Sequence, residues 1–186
     1  MGAHGAWRAG PVIRALIEDA RELARAAGAT PGQPASVRMA LTQDSYWILA
    51  LWRLRCAARR WRIPLVNHLL RRVQSVVFGI ELGNGITLGR GVYVLHPVGI
   101  VVGGSAQIGD RVRLMGSNTV GTAKDNGYPV VGDDVVLGAG ARVLGPVQVG
   151  ARAVIGANAV VLSDIAADSV AVGVPARAAP GPGQAR

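Results

Sequence analysis

The sequence predicts a mainly β solenoid of six-residue repeats, preceded by a small α-helical N-terminal region. From residue 79 onward, an aliphatic residue recurs every six positions, and a glycine often follows it. Before residue 79, apolar residues follow helical spacing instead. The composition agrees with this division, because 26 of the 186 residues are glycine and only 4% are aromatic. A core of small aliphatic side chains is therefore expected.

Three N-terminal segments have helical patterns, at 11–27, 44–63 and 65–77. Pro11 suits the first turn of a helix, and Pro64 separates the second segment from the third. The run GATPGQPAS at 28–36 predicts a linker. We expect the apolar side of the third helix to pack on the repeats that follow.

The repeats form three phased runs, which end where the six-residue spacing is broken. The aliphatic positions are Leu82, Leu88, Val94; Val102, Ile108, Leu114, Val120; and Val131, Leu137, Val143, Val149, Ile155, Val161. A second small or branched residue usually lies two positions earlier, as at Ile80 and Ile86. Short strands joined by tight corners fit this spacing, and three of them close one triangular coil of about eighteen residues. The pattern predicts a parallel β-helix of hexapeptide repeats.

The two breaks in the spacing are candidate functional loops. Two extra residues lie around His96 and Pro97, and about five extra residues lie within 121–129. Loops that interrupt a regular scaffold commonly carry binding or catalytic residues. His96 is the only histidine of the repeat region, since the others are His4 and His68.

Residues 79–177 resemble the serine acetyltransferase family of left-handed β-helix acyltransferases. The resemblance rests on the stretch from GIELGNG to QIGDRV, on GAGARVLG and on VGVPAR. It implies a left-handed coil, acetyl-CoA as acyl donor, and a homotrimer or dimer of trimers with active sites between subunits. Residues 44–78 resemble the helical lead-in of exopolysaccharide O-acetyltransferases. The expected organisation is an α-helical region at 1–78, the acyltransferase domain at 79–177 and a flexible tail at 178–186.

The resemblance implies that His96 is the catalytic general base, because LHPVGIVVG at 95–103 matches the family's histidine pattern. A neutral imidazole is suited to accept the proton of an attacking hydroxyl. The family pairs this histidine with a carboxylate fifteen residues earlier, which is Glu81 here. Such a carboxylate orients the ring and stabilises the imidazolium. Glutamate stands where the family has aspartate.

The acceptor side departs from the family pattern. Leu95 replaces an aspartate, Gly127-Tyr128-Pro129 replaces Arg-His-Pro, and Gly104 replaces a glutamate. A zwitterionic amino acid would lose charged partners there, which is costly in a desolvated site. The sequence therefore predicts a small-molecule hydroxyl acceptor other than free serine, with Leu95 and Tyr128 as substrate-binding residues. Serine, an exopolysaccharide sugar and a catalytically inactive trimeric scaffold remain alternatives.

The donor side keeps more of the pattern. SNTVGTAK resembles the family's loop entry, which implies that Gly121 and Thr122 lie near the thioester and that Lys124 attracts CoA phosphates. Ala139 and Ala157 match positions that line the pantetheine groove. Small residues there permit close approach of the backbone.

Charge and cysteine content limit the other functional classes. The net charge is +9, and arginines are concentrated in 53–72, which suggests either a solvated helix face or peripheral contact with a membrane. Aromatic residues are too sparse for base stacking, so no nucleic-acid partner is expected. A single cysteine and three scattered histidines predict no metal site. No leader or membrane span is evident, so a cytoplasmic location is expected.

Overall fold

The computed structural model describes residues 12–28, 38, 41–124 and 127–180. Most of the predicted linker 28–36 lies outside these residues. So does the end of the predicted tail, 181–186. Residues 178–180 continue a strand, so regular structure extends beyond the expected boundary at 177.

Three helices precede the coils: α1 is Val12–Ala26, α2 is Asp44–Arg60 and α3 is Pro64–Phe78. Pro64 occupies the first turn of α3, and Gly79 ends that helix in the left-handed conformation with φ of 63°. α2 packs between α1 and α3. Within the described part of the chain, no helix has the length and apolarity needed to span a bilayer.

Fifteen short strands follow α3 within the described residues. They are β1 Glu81–Leu82, β2 Thr87–Leu88, β3 Tyr93–Val94, β4 Val101–Val102, β5 Gln107–Ile108, β6 Arg113–Leu114, β7 Thr119–Gly121, β8 Val130–Val131, β9 Val136–Leu137, β10 Arg142–Leu144, β11 Gln148–Val149, β12 Val154–Ile155, β13 Val160–Val161, β14 Ser169–Val172 and β15 Arg177–Pro180.

The strands form three β-sheets, and each sheet is one face of a triangular prism. Face A has the order β1-β4-β7-β10-β13, face B has β11-β8-β5-β2, and face C has β15-β14-β12-β9-β6-β3. Only the last pair, β14 with β15, is antiparallel. Arg142 pairs with Val160, eighteen residues later, whereas Glu81 pairs with Val101, twenty residues later. The coil length and the two-residue insertion predicted from the sequence are confirmed.

The interior of the prism consists of the predicted aliphatic ladders. All thirteen six-spaced positions are buried, with exposures between 0 and 4%. Branched side chains fill a narrow solenoid without aromatic residues, because each stacks on an equivalent side chain of the next coil. The hexapeptide-repeat interpretation is therefore confirmed.

Two arginines of α2 cap the first coil. Arg53 donates to the carbonyls of Leu88 (2.9 Å) and Gly89 (2.6 Å), and its guanidinium pairs with Asp19 of α1 (3.0 Å). Arg55 donates to the carbonyl of Leu82 (2.9 Å). These donors satisfy acceptors at the edge of the first coil that no preceding strand could satisfy. Both arginines are at most 2% exposed, so the expectation of a solvated or membrane-facing basic segment is wrong for them.

The orientation of α3 is the reverse of the expected one. Its buried residues are Asn67 and Gln74, and both face the Arg55 guanidinium at 3.5 and 2.6 Å. Burial lowers the pKa of Arg55, yet its many hydrogen bonds support the charged form. The apolar side of α3 faces outward, with Leu65 at 78% and Val76 at 82% exposure. The prediction that this side packs on the repeats is wrong, because the buried arginine requires polar neighbours.

Candidate active site

His96 lies in the corner that joins face C to face A, residues 95–100, which we call the His96 corner. The two inserted residues widen this corner, and Gly99 donates to the carbonyl of Gly79 (2.9 Å) one coil below. The histidine is exposed at the edge of the prism. Gly116 lies against it in the next coil, where a Cβ atom would be 3.0 Å from the His96 Cβ atom. A side chain at 116 would therefore crowd the histidine.

Asn118 fixes the backbone beside this glycine. It is fully buried, accepts from the Gly116 N–H (3.1 Å) and donates to the carbonyl of Gly138 (2.7 Å). A buried amide that satisfies both coils holds the corner in one conformation. Sequence reasoning missed Asn118, although a polar residue two positions before the ladder residue Val120, where most other repeats have a small or branched residue, was a usable signal.

Glu81 begins β1, one coil below Val101, on the face that His96 leads into. Its carboxylate forms a short ion pair with Arg71 of α3, and both side chains are partly exposed. Within the described residues, the His96 ring makes no hydrogen bond, and the carboxylate is bonded to the arginine. The His96–Glu81 pair therefore stays a prediction. Sequence reasoning missed Arg71, which is ten residues from Glu81 and comes close only because α3 packs beside β1.

The donor-side alanines are aligned with His96 along one edge of the prism. Gly140 donates to the carbonyl of Gly116, and Asn158 donates to that of Ala139, both at 2.8 Å. Ala139 and Ala157 are exposed, and with His96 and Gly116 they occupy equivalent corner positions of four successive coils. The buried Gly116 and the exposed Ala139 and Ala157 thus form a column of small residues above the imidazole. We call this column the corner groove.

The loop residues lie at the other edge of face A. Gly121 ends β7, and Thr122 and Lys124 follow it in the corner toward face B. The chain bends at Gly116 and Ser117, and the strand Thr119–Gly121 then crosses face A from the His96 edge to the loop edge. One chain therefore does not bring the predicted base together with the predicted thioester-binding loop.

Tyr128 packs on the coil below the loop. Its ring occupies the space above Gly104, where an added Cβ atom would lie 1.9 Å from the ring, and Gly104 has φ of 60°. Gly104 and Tyr128, which both depart from the family pattern, thus contact each other. The tyrosine is half-buried against the core, so part of its surface remains for the predicted contact with substrate.

The surroundings of His96 are apolar. Leu95 is 38% exposed, Val98 is 71% exposed and Val101 is 38% exposed. Val98 also covers Gly79 at the end of α3. Sequence analysis identified Leu95 but not Val98, whose position within the inserted residues was the available signal. Within the described ranges, no cluster of three or more histidine, cysteine or carboxylate side chains is arranged to hold a metal ion.

The repeats define a class of transferases. Residues 128–163 match the family model described as bacterial transferase hexapeptide (six repeats). Residues 73–96 match the model described as hexapeptide repeat of succinyl-transferase.

Within this class, the chain belongs to the serine acetyltransferase family. It is 41% identical over 132 residues to the serine acetyltransferase of Helicobacter pylori, which covers 69% of this chain and 77% of the relative. It is 39% identical over 119 residues to the enzyme of Synechococcus elongatus, which covers 62% of this chain. The chain spans about half the length, 49%, of that second relative.

Solved structures of the family share the fold. Soybean serine acetyltransferase complexed with serine superposes with a TM-score of 0.77 at 31% identity, covering 89% of this chain and 70% of that one. A serine acetyltransferase in complex with CoA gives 0.76 at 28% identity, with 89% and 70% coverage. The family and fold expected from the sequence are confirmed.

Proposed function

We propose that this chain transfers the acetyl group of acetyl-CoA to the hydroxyl of L-serine, with His96 as general base. The observation that carries the proposal is the corner groove. An exposed histidine lies in an inserted corner, directly below a column of small residues that suits a slender acyl-carrier arm. Similar proteins solved with serine and with CoA support the two substrates.

The reaction is a direct attack on the thioester. The serine hydroxyl oxygen forms a bond to the carbonyl carbon while its proton passes to the His96 ring. The carbon–sulfur bond then breaks, the carbonyl re-forms, and the CoA thiolate leaves with the proton from the imidazolium. Backbone N–H groups near Gly121 are proposed to stabilise the oxyanion. Cys56 is half-buried in α2, away from the groove, so no acyl-cysteine step is invoked.

Glu81 is proposed to orient and stabilise the imidazolium. In the structure Oε1 of its carboxylate accepts from Arg71 and no bond to His96 is present among the described residues, so one of the side chains must move for the carboxylate to reach the histidine. Both side chains are partly exposed, and exchanging one exposed ion pair for another has a small free-energy cost. Arg71 would then hold the carboxylate near the His96 corner when the site is empty.

The active site is proposed to be shared between copies of this chain. His96 and the loop carrying Thr122 and Lys124 lie at opposite edges of face A. Three copies around an axis parallel to the prism would bring the His96 edge of one copy to the loop edge of the next. We propose a homotrimer, or a dimer of trimers, that acts in the cytoplasm.

Serine is preferred as acceptor over the alcohol expected from the sequence, because the similar proteins are serine acetyltransferases. The sequence-based argument counted three lost charges, at 95, 104 and 127, but packing accounts for the glycine at 104, because the Tyr128 ring fills the space above it. A less polar hydroxyl compound is a second candidate. Its support is the apolar rim of Leu95 and Val98 beside the histidine.

The test is CoA thiol release by the full-length protein with acetyl-CoA and L-serine, and then with sugars and apolar alcohols. We expect L-serine to have the highest kcat/KM. His96→Asn should lower turnover by about 10²–10⁴-fold while leaving CoA binding in calorimetry unchanged. His68→Asn, which alters the exposed histidine of α3, is the matched control and should be fully active.

Three outcomes would contradict the proposal in different ways. Full activity of His96→Asn would show that His96 is not the general base. Turnover of another alcohol but not of serine would show that the acceptor is the second candidate, a less polar hydroxyl compound. Absence of both turnover and CoA binding would show that the chain is a non-catalytic scaffold.

A further inference from the structure

The outward face of α3 is apolar although it is exposed to solvent. Leu65, Leu69 and Val76 lie on one side of the helix, and their exposures are 78, 62 and 82%. They follow the spacing i, i+4, i+11, which places them in one stripe. Val73 and Val77 widen the stripe, with 37 and 64% exposure. A surface of this size and continuity on a folded domain indicates an interaction site.

The stripe is not a consequence of an unfilled core. The inward side of α3 carries Asn67 and Gln74, which bond the buried Arg55, and Phe78, which packs against the core. Gln74 also donates to the carbonyl of Ile48 in α2 (2.9 Å). Rotating the helix to bury its leucines would strip the hydrogen bonds from a buried guanidinium, which is strongly unfavourable. The apolar face therefore stays outward.

Cations border the stripe. Arg60 and Arg62 precede its first leucine, and Arg72 lies beside it on the helix. All three are exposed, and none has a carboxylate partner among the described residues. No aspartate or glutamate occurs from residue 45 to residue 80. The indole of Trp61, at the turn before α3, is also exposed (69%).

The charge decides between two occupants of this face. Pairing with the same face of a second copy would bring like charges together without carboxylates to compensate them. An anionic lipid surface offers acyl chains for the stripe, phosphates for the arginines, and an interfacial region that favours exposed indoles such as that of Trp61. A helix of fifteen residues is about 22 Å long and can lie flat on such a surface.

We propose that α3 docks this chain on an anionic lipid surface. Leu65, Leu69 and Val76 enter the boundary between headgroups and acyl chains. Arg60, Arg62 and Arg72 contact the phosphates. The docking is independent of the acetyl-transfer proposal, because none of these side chains belongs to the corner groove.

The test is co-sedimentation of the full-length protein with vesicles of phosphatidylcholine alone or with phosphatidylglycerol added. We expect binding to the anionic vesicles that weakens as salt is raised. Leu65→Gln/Leu69→Gln should weaken binding at least tenfold. Leu162→Gln/Val172→Gln, which changes two exposed apolar residues of the coils, is the matched control and should bind like the unaltered protein.

The arginine variant Arg60→Gln/Arg62→Gln/Arg72→Gln should weaken binding on the order of a hundredfold, since each cation adds roughly a fivefold gain near an anionic surface. All substituted side chains are exposed, and unchanged thermal unfolding would show that the variants fold. Equal binding by the leucine variant, or no binding by the unaltered protein, would overturn the proposal. A smaller molar mass of the leucine variant in light scattering would overturn it too, because the face would then join two copies.

Discussion

The coils and the helices that precede them bury different kinds of side chain. In the coils, the interior consists of aliphatic ladders in which residues such as Ile155 and Val161 are fully buried. In the helical cap, the interior includes Arg53, Arg55 and Asp19, which are at most 2% exposed. Each coil stacks on a similar coil, whereas the helical cap must provide hydrogen-bond donors for the unpaired carbonyls of the first coil. A solenoid therefore needs a polar lid where its repetition begins.

This difference predicts that one ionic contact dominates the stability of the cap. Asp19→Ala leaves the buried Arg53 guanidinium without its counter-charge, which should lower the free energy of unfolding by about 3–5 kcal/mol. Urea denaturation would measure it. Glu18→Ala, the neighbouring residue in α1, removes only an exposed pair with Arg14 and should cost under about 1 kcal/mol. Equal effects of the two substitutions would show that the buried pair does not anchor the cap.

The coils also carry ion pairs, but on their surface. Arg111 pairs with Asp134 (2.7 Å), and Arg152 pairs with Asp168, each joining successive coils between faces B and C. The bond from Arg111 lowers the pKa of Asp134, and the bond from Arg152 lowers that of Asp168. A carboxylate whose pKa is depressed by folding stabilises the folded state above its unfolded pKa, and this contribution is lost as pH falls through the folded value.

The smaller expected effect is therefore a loss of stability in acid. Between neutral pH and the region below the ordinary aspartate pKa, the urea midpoint should fall, and part of the fall should come from these pairs. Arg111→Gln should cost about 0.2–1 kcal/mol at neutral pH and make the acid loss shallower. A pH dependence identical to that of the unaltered protein would mean that the pair contributes nothing to the joining of coils.

The sequence predicted the coils well because a period of six leaves a signature in the residues themselves. Every ladder position from Leu82 to Val161 could be located from spacing alone, and so could the insertion that carries His96. The cap was predicted only as three helices. Arg53 is buried because it bonds carbonyls of the first coil, and the leucines of α3 face outward because the polar side of that helix bonds Arg55. These contacts exist only after folding. The Arg71–Glu81 pair and the Tyr128–Gly104 contact arise in the same way, from neighbours distant in the chain.

The central claim is that His96 of one copy acts with the Gly121 loop of another, and a mixed-oligomer assay tests it most directly. An added Cβ atom at Gly121 meets nothing within 4 Å in its own chain, so we expect Gly121→Trp to fold while its indole obstructs the shared site. His96→Asn and Gly121→Trp should each be inactive alone. When the two are co-expressed, about a quarter of the sites in random trimers should pair an intact histidine with an intact loop, restoring about that share of thiol release. Inactivity of the mixture, with mixed trimers verified, would contradict a site shared between copies.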